Sequence, residues 1–200
     1  MKIKQTVKYL SLTLIAAAFI SCGNELPIED DIKGLNISLI NQDSVSVIFP
    51  EKYLGKPLIA GYIFTNCPDI CPLTTNNIRL IRDRAEKEGI EDVNYLAISF
   101  DPEVDKPNVL KAYAEIRNLD LSNWDLLTGE KTVIDSLMKR LGIFYVPSDT
   151  TQMPDGTEKV YFVHTDRISL FDAQGRLRNY YKGSNTNIEQ VITDLKTLTN

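Results

Sequence analysis

Apolar and polar positions along this chain fall into short alternating runs and longer helical repeats. Residues 35–40 and 45–49 are β-branched and alternate around the polar turn Asn41-Gln42-Asp43, which predicts a β-hairpin or two short edge strands. After the break Gly55-Lys56-Pro57, residues 58–65 (LIAGYIFT) are apolar on both faces, as in a strand buried mid-sheet. Helical spacing begins after Cys71. Ile78, Ile81 and Ala85 recur at 3–4 residues with Thr74 on the same face, while Arg79, Arg82, Asp83 and Arg84 fall outside that stripe. Gly89 ends this helix. Residues 93–100 (VNYLAISF) read as a second buried strand. Pro107 suits a first helical turn, and Val109, Leu110, Tyr113 and Ile116 supply the apolar face of a second helix. Residues 124–127 form a short strand that ends at Thr128-Gly129. Residues 130–141 form a third helix with Val133, Leu137 and Leu141 aligned.

From 142 to 159 the pattern dissolves into Pro, Ser, Asp, Thr and Gly, a long exposed loop or a hairpin insertion. Residues 160–163 begin a strand that leads to His164. Residues 168–171 and 177–181 flank a turn in which Gly175 suits the left-handed position, so a hairpin is expected. Residues 187–198 close the chain as a helix. Parallel strand–helix units followed by an antiparallel hairpin and a last helix give an α/β sheet with helices on both faces. The order is similar to the thioredoxin-like layout, with an N-terminal β-hairpin extension and a loop or hairpin insertion before the histidine strand. In open sheets of this kind chemistry sits at the carboxyl ends of strands, and Thr65-Asn66-Cys67 is such an end.

The first residues follow a different logic. Lys2, Lys4 and Lys8 precede an almost wholly apolar stretch, 10–20, too short to span a bilayer but suited to a secretory signal. It runs into Phe19-Ile20-Ser21-Cys22, which resembles a bacterial lipoprotein cleavage box. That resemblance implies removal of 1–21, lipid on Cys22, a tether over 22–33 and a folded domain over 34–200. It also implies an exported protein anchored to a bacterial membrane. A soluble secreted protein with an incidental cysteine is the other reading. Residues 1–21 hold three lysines and no acids, so their removal moves the net charge from −5 to −8. An acidic body is not drawn to an anionic bilayer, which leaves the anchoring to lipid. The same charge argues against a nucleic-acid partner. At 43% apolar and 24% charged, the composition is that of an ordinary globular domain.

With Cys22 assigned to lipid, two cysteines remain in a compartment where disulfides persist. They lie in Cys67-Pro68-Asp69-Ile70-Cys71-Pro72. Pro72 cannot donate back to Pro68, so a regular helix through both cysteines is not expected. The pair sits on a loop that tightens into a helix, which puts Cys71 near a helix N-terminus, where thiolate is favoured. Thioredoxin-type exchange uses two residues between its cysteines, and here there are three. That arc permits a disulfide and also leaves room for a metal. Two thiolates favour a soft ion such as Cu(I), for which imidazole is an acceptable third ligand. Zinc would require a fourth. A merely structural pair is the remaining alternative. His164 is the single histidine of the chain. It precedes the 168–171 strand, where thioredoxin-type enzymes carry a cis-proline, and 160–171 contains no proline. Asp69, Asp101 and Asp105 read as exposed acids explained by loop capping. Tyr62 and Phe64 read as core.

Four segments together resemble the Sco family, also called SenC or PrrC: YIFTNCPDICPLTTNNIRLI, SFDPEVDKPNVLKAYA, WDLLTG and VHTDRISLFDAQGRLRNYY. They cover most of 58–181 in family order. The resemblance implies a copper protein that helps build the CuA centre of cytochrome c oxidase, with Cys67, Cys71 and His164 as ligands to one copper ion, Cu(I) or Cu(II). It equally implies a thiol–disulfide oxidoreductase that uses Cys67 and Cys71 to reduce the oxidase's copper-binding cysteines. The family usually has Asp-His-Ser at the histidine; this chain has Val163-His164-Thr165.

Overall fold

The computed structural model describes residues 25–154, 156 and 158–199. The signal segment 1–21 and Cys22 lie outside the described residues. The strands are β1 (Asp30–Asp31), β2 (Ile37–Asn41), β3 (Ser46–Phe49), β4 (Leu58–Ile63), β5 (Asn94–Ser99), β6 (Trp124–Thr128), β7 (Tyr145–Gln152), β8 (Glu158–His164), β9 (Ile168–Phe171) and β10 (Arg176–Tyr181). The helices are α1 (Ile70–Lys87), α2 (Pro107–Ile116), α3 (Lys131–Arg140) and α4 (Ile188–Thr199).

Eight strands form one sheet in the order β1-β10-β9-β4-β5-β6-β2-β3. The central strands β4, β5 and β6 run parallel, and β9 and β10 continue antiparallel beside β4. This is the expected thioredoxin-like arrangement. The β2–β3 hairpin extends it beyond β6, with Ile37 opposite Phe49. Every residue of β4 is buried, as its two-faced apolar pattern requires. Gly61 lets α1 approach: a Cβ there would come within 2.6 Å of Ile78 Cδ1 and 3.3 Å of Thr74 Cγ2. Helix α1 therefore lies close across β4. It is joined to α4 by Arg84–Glu189 and Lys196–Glu88 ion pairs, and to α2 by the Thr75–Tyr113 hydrogen bond of 2.9 Å.

Four details depart from the sequence reading. The described part of the stretch expected as a tether over 22–33 is held against the domain. β1 pairs with β10, Ile32 is buried, and Arg178 donates to the Leu26 and Pro27 carbonyls, so the sheet edge captures this stretch. Arg82, outside the apolar stripe of α1, is nevertheless buried. It is satisfied by Asp120, Glu86 and the Asp120 carbonyl, because the segment after α2 folds over it. On α2 the buried seam is Leu110, Tyr113 and Ala114, while Ile116 is 77% exposed. The 142–159 insertion takes the hairpin form of the two expected, β7–β8, with Tyr145 opposite His164, and the last departure is the place of that histidine. His164 therefore ends a strand of the insertion itself rather than lying on a loop before β9.

Candidate metal centre

Strand β4 ends at Ile63, and α1 starts at Ile70. Cys67 sits in the intervening loop, 9% exposed, and Cys71 is fully buried in the first turn of α1. Both are free thiols. The loop is closed by backbone donors aimed at sulfur. Phe64 N–H donates to Cys71 Sγ at 3.4 Å, and Cys71 N–H donates to Cys67 Sγ at 3.4 Å. The β7–β8 hairpin brings His164 over the same point, with Nε2 3.6 Å from Cys71 Sγ. The ligand atoms of Cys67, Cys71 and His164 all lie within 4.8 Å of one another. Two soft sulfurs and one imidazole in that space suit a thiophilic ion.

The imidazole is held from two sides. Its Nδ1 hydrogen-bonds the Thr165 carbonyl at 3.0 Å, which leaves Nε2 directed at the sulfurs. Its ring meets Phe100 at 5.0 Å and, edge-on, Phe64 at 5.9 Å. Phe162 and Tyr145 extend the wall, with Tyr145 stacked on Phe100 at 4.8 Å. Val163, where an aspartate is usual in the resemblance, is 65% exposed on the opposite side of the strand. The backbone carbonyl of Thr165 supplies the supporting contact to His164 instead.

The two thiols differ. The Cys71 thiol donates toward Cys67 and, despite burial, holds it down at about 3; His164 and the Cys71 and Asp69 backbone add to this. Cys71 is driven upward by the adjacent Cys67 thiolate and by burial. Burial works against the charged form of His164, but the Cys67 thiolate and the Thr165 carbonyl outweigh it, and its pKa rises above the ordinary value. In the metal-free thiol form this leaves Cys67 the more thiolate-like sulfur and Cys71 the proton-bearing one. Alkylation of the reduced, metal-free protein with iodoacetamide is expected to label Cys67 before Cys71. The Cys67 rate should be flat from pH 5 to 8, because a thiol near 3 is already ionised across that range. Peptide mapping after timed quenching reads both, and first labelling at Cys71 would refute the assignment.

Of the three acids read as exposed, Asp69 is exposed. Asp101 and Asp105 are buried. Asp105 accepts from Thr65 N–H at 3.0 Å, Thr65 Oγ1 at 2.5 Å and Ser99 Oγ at 2.5 Å, tying the end of β4 to the end of β5. Burial pushes its pKa up, against those hydrogen bonds. Burial and the neighbouring Asp105 and Glu103 raise Asp101 to about 6. The role of Asp105 in holding the cysteine loop was missed in the sequence. The spacing Asp101-Pro102-Glu103-Val104-Asp105 marks a capped loop, but nothing in it shows that Thr65, forty residues earlier, is the partner.

The SCO1/SenC family profile matches residues 28–200. The chain belongs to the SCO1/SenC family. Its fold is shared with solved Sco structures. A SCO1/SenC family lipoprotein from Bacillus anthracis is 30% identical with a TM-score of 0.73, over 87% of this chain and 98% of that one. ScoI of Bradyrhizobium japonicum, solved with copper bound, is 27% identical with a TM-score of 0.67, over 84% and 99%. BsSco, described as a member of the Sco family of cytochrome c oxidase assembly proteins with a disulfide switch, is 28% identical with a TM-score of 0.68, over 88% and 97%. No helix among the described residues of this Sco protein is long and apolar enough to cross a membrane.

Proposed function

We propose that this protein carries one copper ion on Cys67, Cys71 and His164. It delivers the ion to the cytochrome c oxidase subunit that bears the CuA site. It works on the outer side of a bacterial membrane, held there by lipid on Cys22. The observation that carries this reading is the convergence of two cysteines and the lone histidine within 4.8 Å at the end of β4. Copper in the Bradyrhizobium relative supports the choice of ion, and the lipoprotein relative supports the location. The aromatic wall covers one side of the imidazole, and the half-buried His164 is more exposed than either cysteine, which makes it the accessible ligand for handover.

A second reading rests on the split between the thiols. The Cys67 thiolate attacks a disulfide of the oxidase subunit, forming a mixed disulfide and releasing one partner thiolate. Cys71 then passes its proton to the released thiolate and attacks the Cys67 sulfur, expelling the second partner thiolate. This leaves a Cys67–Cys71 disulfide and a fully reduced partner. The disulfide switch of the BsSco relative supports this chemistry.

Titration of residues 23–200 with Cu(I) against a chromophoric chelator is expected to show one equivalent bound, with a thiolate–copper absorption band. Absence of that band at saturation would sink the copper reading. Mixing the reduced, metal-free protein with an oxidised CuA domain tests the second reading separately; no gain of partner thiols would exclude it.

A further inference from the structure

Most arginines of this chain are committed to its own carboxylates. Arg82 holds Asp120 and Glu86, Arg84 holds Glu88 and Glu189, Arg140 holds Asp30, and Arg176 and Arg178 share Asp172. Arg117 forms no ion pair among the described residues. Its guanidinium carbon sits 3.5 Å from the centroid of the Tyr113 ring, and its hydrogen bond is a long one, Nη1 to the Tyr113 carbonyl at 3.4 Å. Tyr113 is itself pinned, its hydroxyl 2.9 Å from Thr75 Oγ1 of α1.

Arg117 lines a cavity of about 470 Å³ between α1 and the end of α2, together with Arg79, Asn76, Asn118 and the apolar Pro72 and Leu119. No carboxylate is among the lining residues. Arg79 is balanced by Asp83 at 3.0 Å, and its other terminal nitrogen donates to Asn76 Oδ1 at 2.9 Å. That bond occupies the Asn76 acceptor and leaves the amide hydrogens of Asn76 to donate. The cavity thus offers a free planar guanidinium, a second one beside it and amide donors, against a small apolar wall. The carbonyl end of α2 opposes an anion there with a partial charge, which a full guanidinium charge exceeds.

We propose that this cavity binds a carboxylate side chain of an acidic peptide segment on a protein partner. Arg117 grips the carboxylate in a bidentate fork, and Arg79 and Asn76 flank it. The Tyr113 ring pre-orients the fork, so less side-chain freedom is lost on binding. The apolar wall suits the methylene stem of a Glu or Asp side chain and not a bare phosphate. In a chain of net charge −5 such a site selects where an acidic partner can touch. Pro72 belongs both to the cavity wall and to the cysteine motif, so a partner docked here lies beside the Cys71 turn. The inference does not depend on copper.

The test uses the full chain, free of metal, titrated with acetyl-triglutamate amide and followed by amide NMR. Acetyl-triglutamine amide and inorganic phosphate are run as separate arms. Triglutamate should shift Asn76, Arg117 and Asn118 saturably, and its affinity should fall as salt rises. It should weaken about tenfold in Arg117→Gln, with Arg117→Lys between the two, as expected for loss of a charge-assisted fork. Triglutamine should not bind. Copper stoichiometry should be the same in Arg117→Gln as in the native protein, which also reports that the variant is folded. The proposal is overturned by equal triglutamate affinity in Arg117→Gln, by shifts confined to other surfaces, or by phosphate binding as tightly as the peptide.

Discussion

His164→Ala is expected to weaken Cu(I) binding by more than the roughly 10–100-fold that a supporting partner of a metal ligand carries. Disulfide exchange at Cys67 should stay within a few fold of native at pH 7. The two activities part because they draw on the histidine differently. As a donor, Nε2 completes a three-atom set within 4.8 Å, and no other histidine exists to replace it. As a neighbour of Cys67, it is one of several groups that favour the thiolate. The Cys71 thiol is the largest of these, and the backbone N–H groups of Cys71 and Asp69 remain. Competition with a Cu(I) chelator reads the first quantity, and stopped-flow reduction of a disulfide probe reads the second. Unchanged copper affinity would remove His164 from the site. A matching collapse of exchange would mean that the variant has disturbed the loop.

Asp105→Ala is expected to destabilise the fold by about 2–4 kcal/mol, the range for stripping the acceptor from several buried donors. Thr65 N–H, Thr65 Oγ1 and Ser99 Oγ all point at this fully buried carboxylate. Ser99 is fully buried and has no water to turn to, while Thr65 is half-buried. Thr65 lies two residues before Cys67, so the damage reaches the site, and copper affinity should fall along with stability. Asp105→Asn keeps an acceptor oxygen and should lose less of both. Urea unfolding monitored by Trp124 fluorescence gives the stability difference. Equal stability of Asp105→Ala and native would show that the hydroxyls find other partners.

Much of the fold was legible because its elements carry one-dimensional signals. The buried strands β4 and β5 read directly as apolar runs. The β9–β10 hairpin read from Gly175, whose φ of +80° is the left-handed turn conformation expected there. The errors came where burial is decided by a distant segment. Arg82 falls outside the apolar stripe of α1, yet the stretch around Asp120 covers it and supplies its partners. Ile116 looks like core, yet it falls just off the seam of Leu110, Tyr113 and Ala114. Residues 25–33 look like a tether because they are short, polar and acidic, and only the exposed edge of β10 makes Asp30–Asp31 a strand.

The candidate site divides in the same way. From sequence alone came the donor types, their number and the break that places Cys67 after a strand end, since these depend on residue identity and local chain stiffness. Pro72 rules out a regular helix through both cysteines, and Cys67 indeed stays outside α1 while Cys71 enters it. Tertiary structure alone decided three things. The insertion folds as a hairpin that carries His164, 93 residues from Cys71, to within 3.6 Å of its sulfur. Phe64, read as plain core, became part of the wall against the imidazole. Two of the three loop acids, Asp101 and Asp105, became buried, and Asp105 became an anchor for Thr65. Each of these is a pairing across long stretches of chain, and local sequence pattern holds no record of which distant residue arrives.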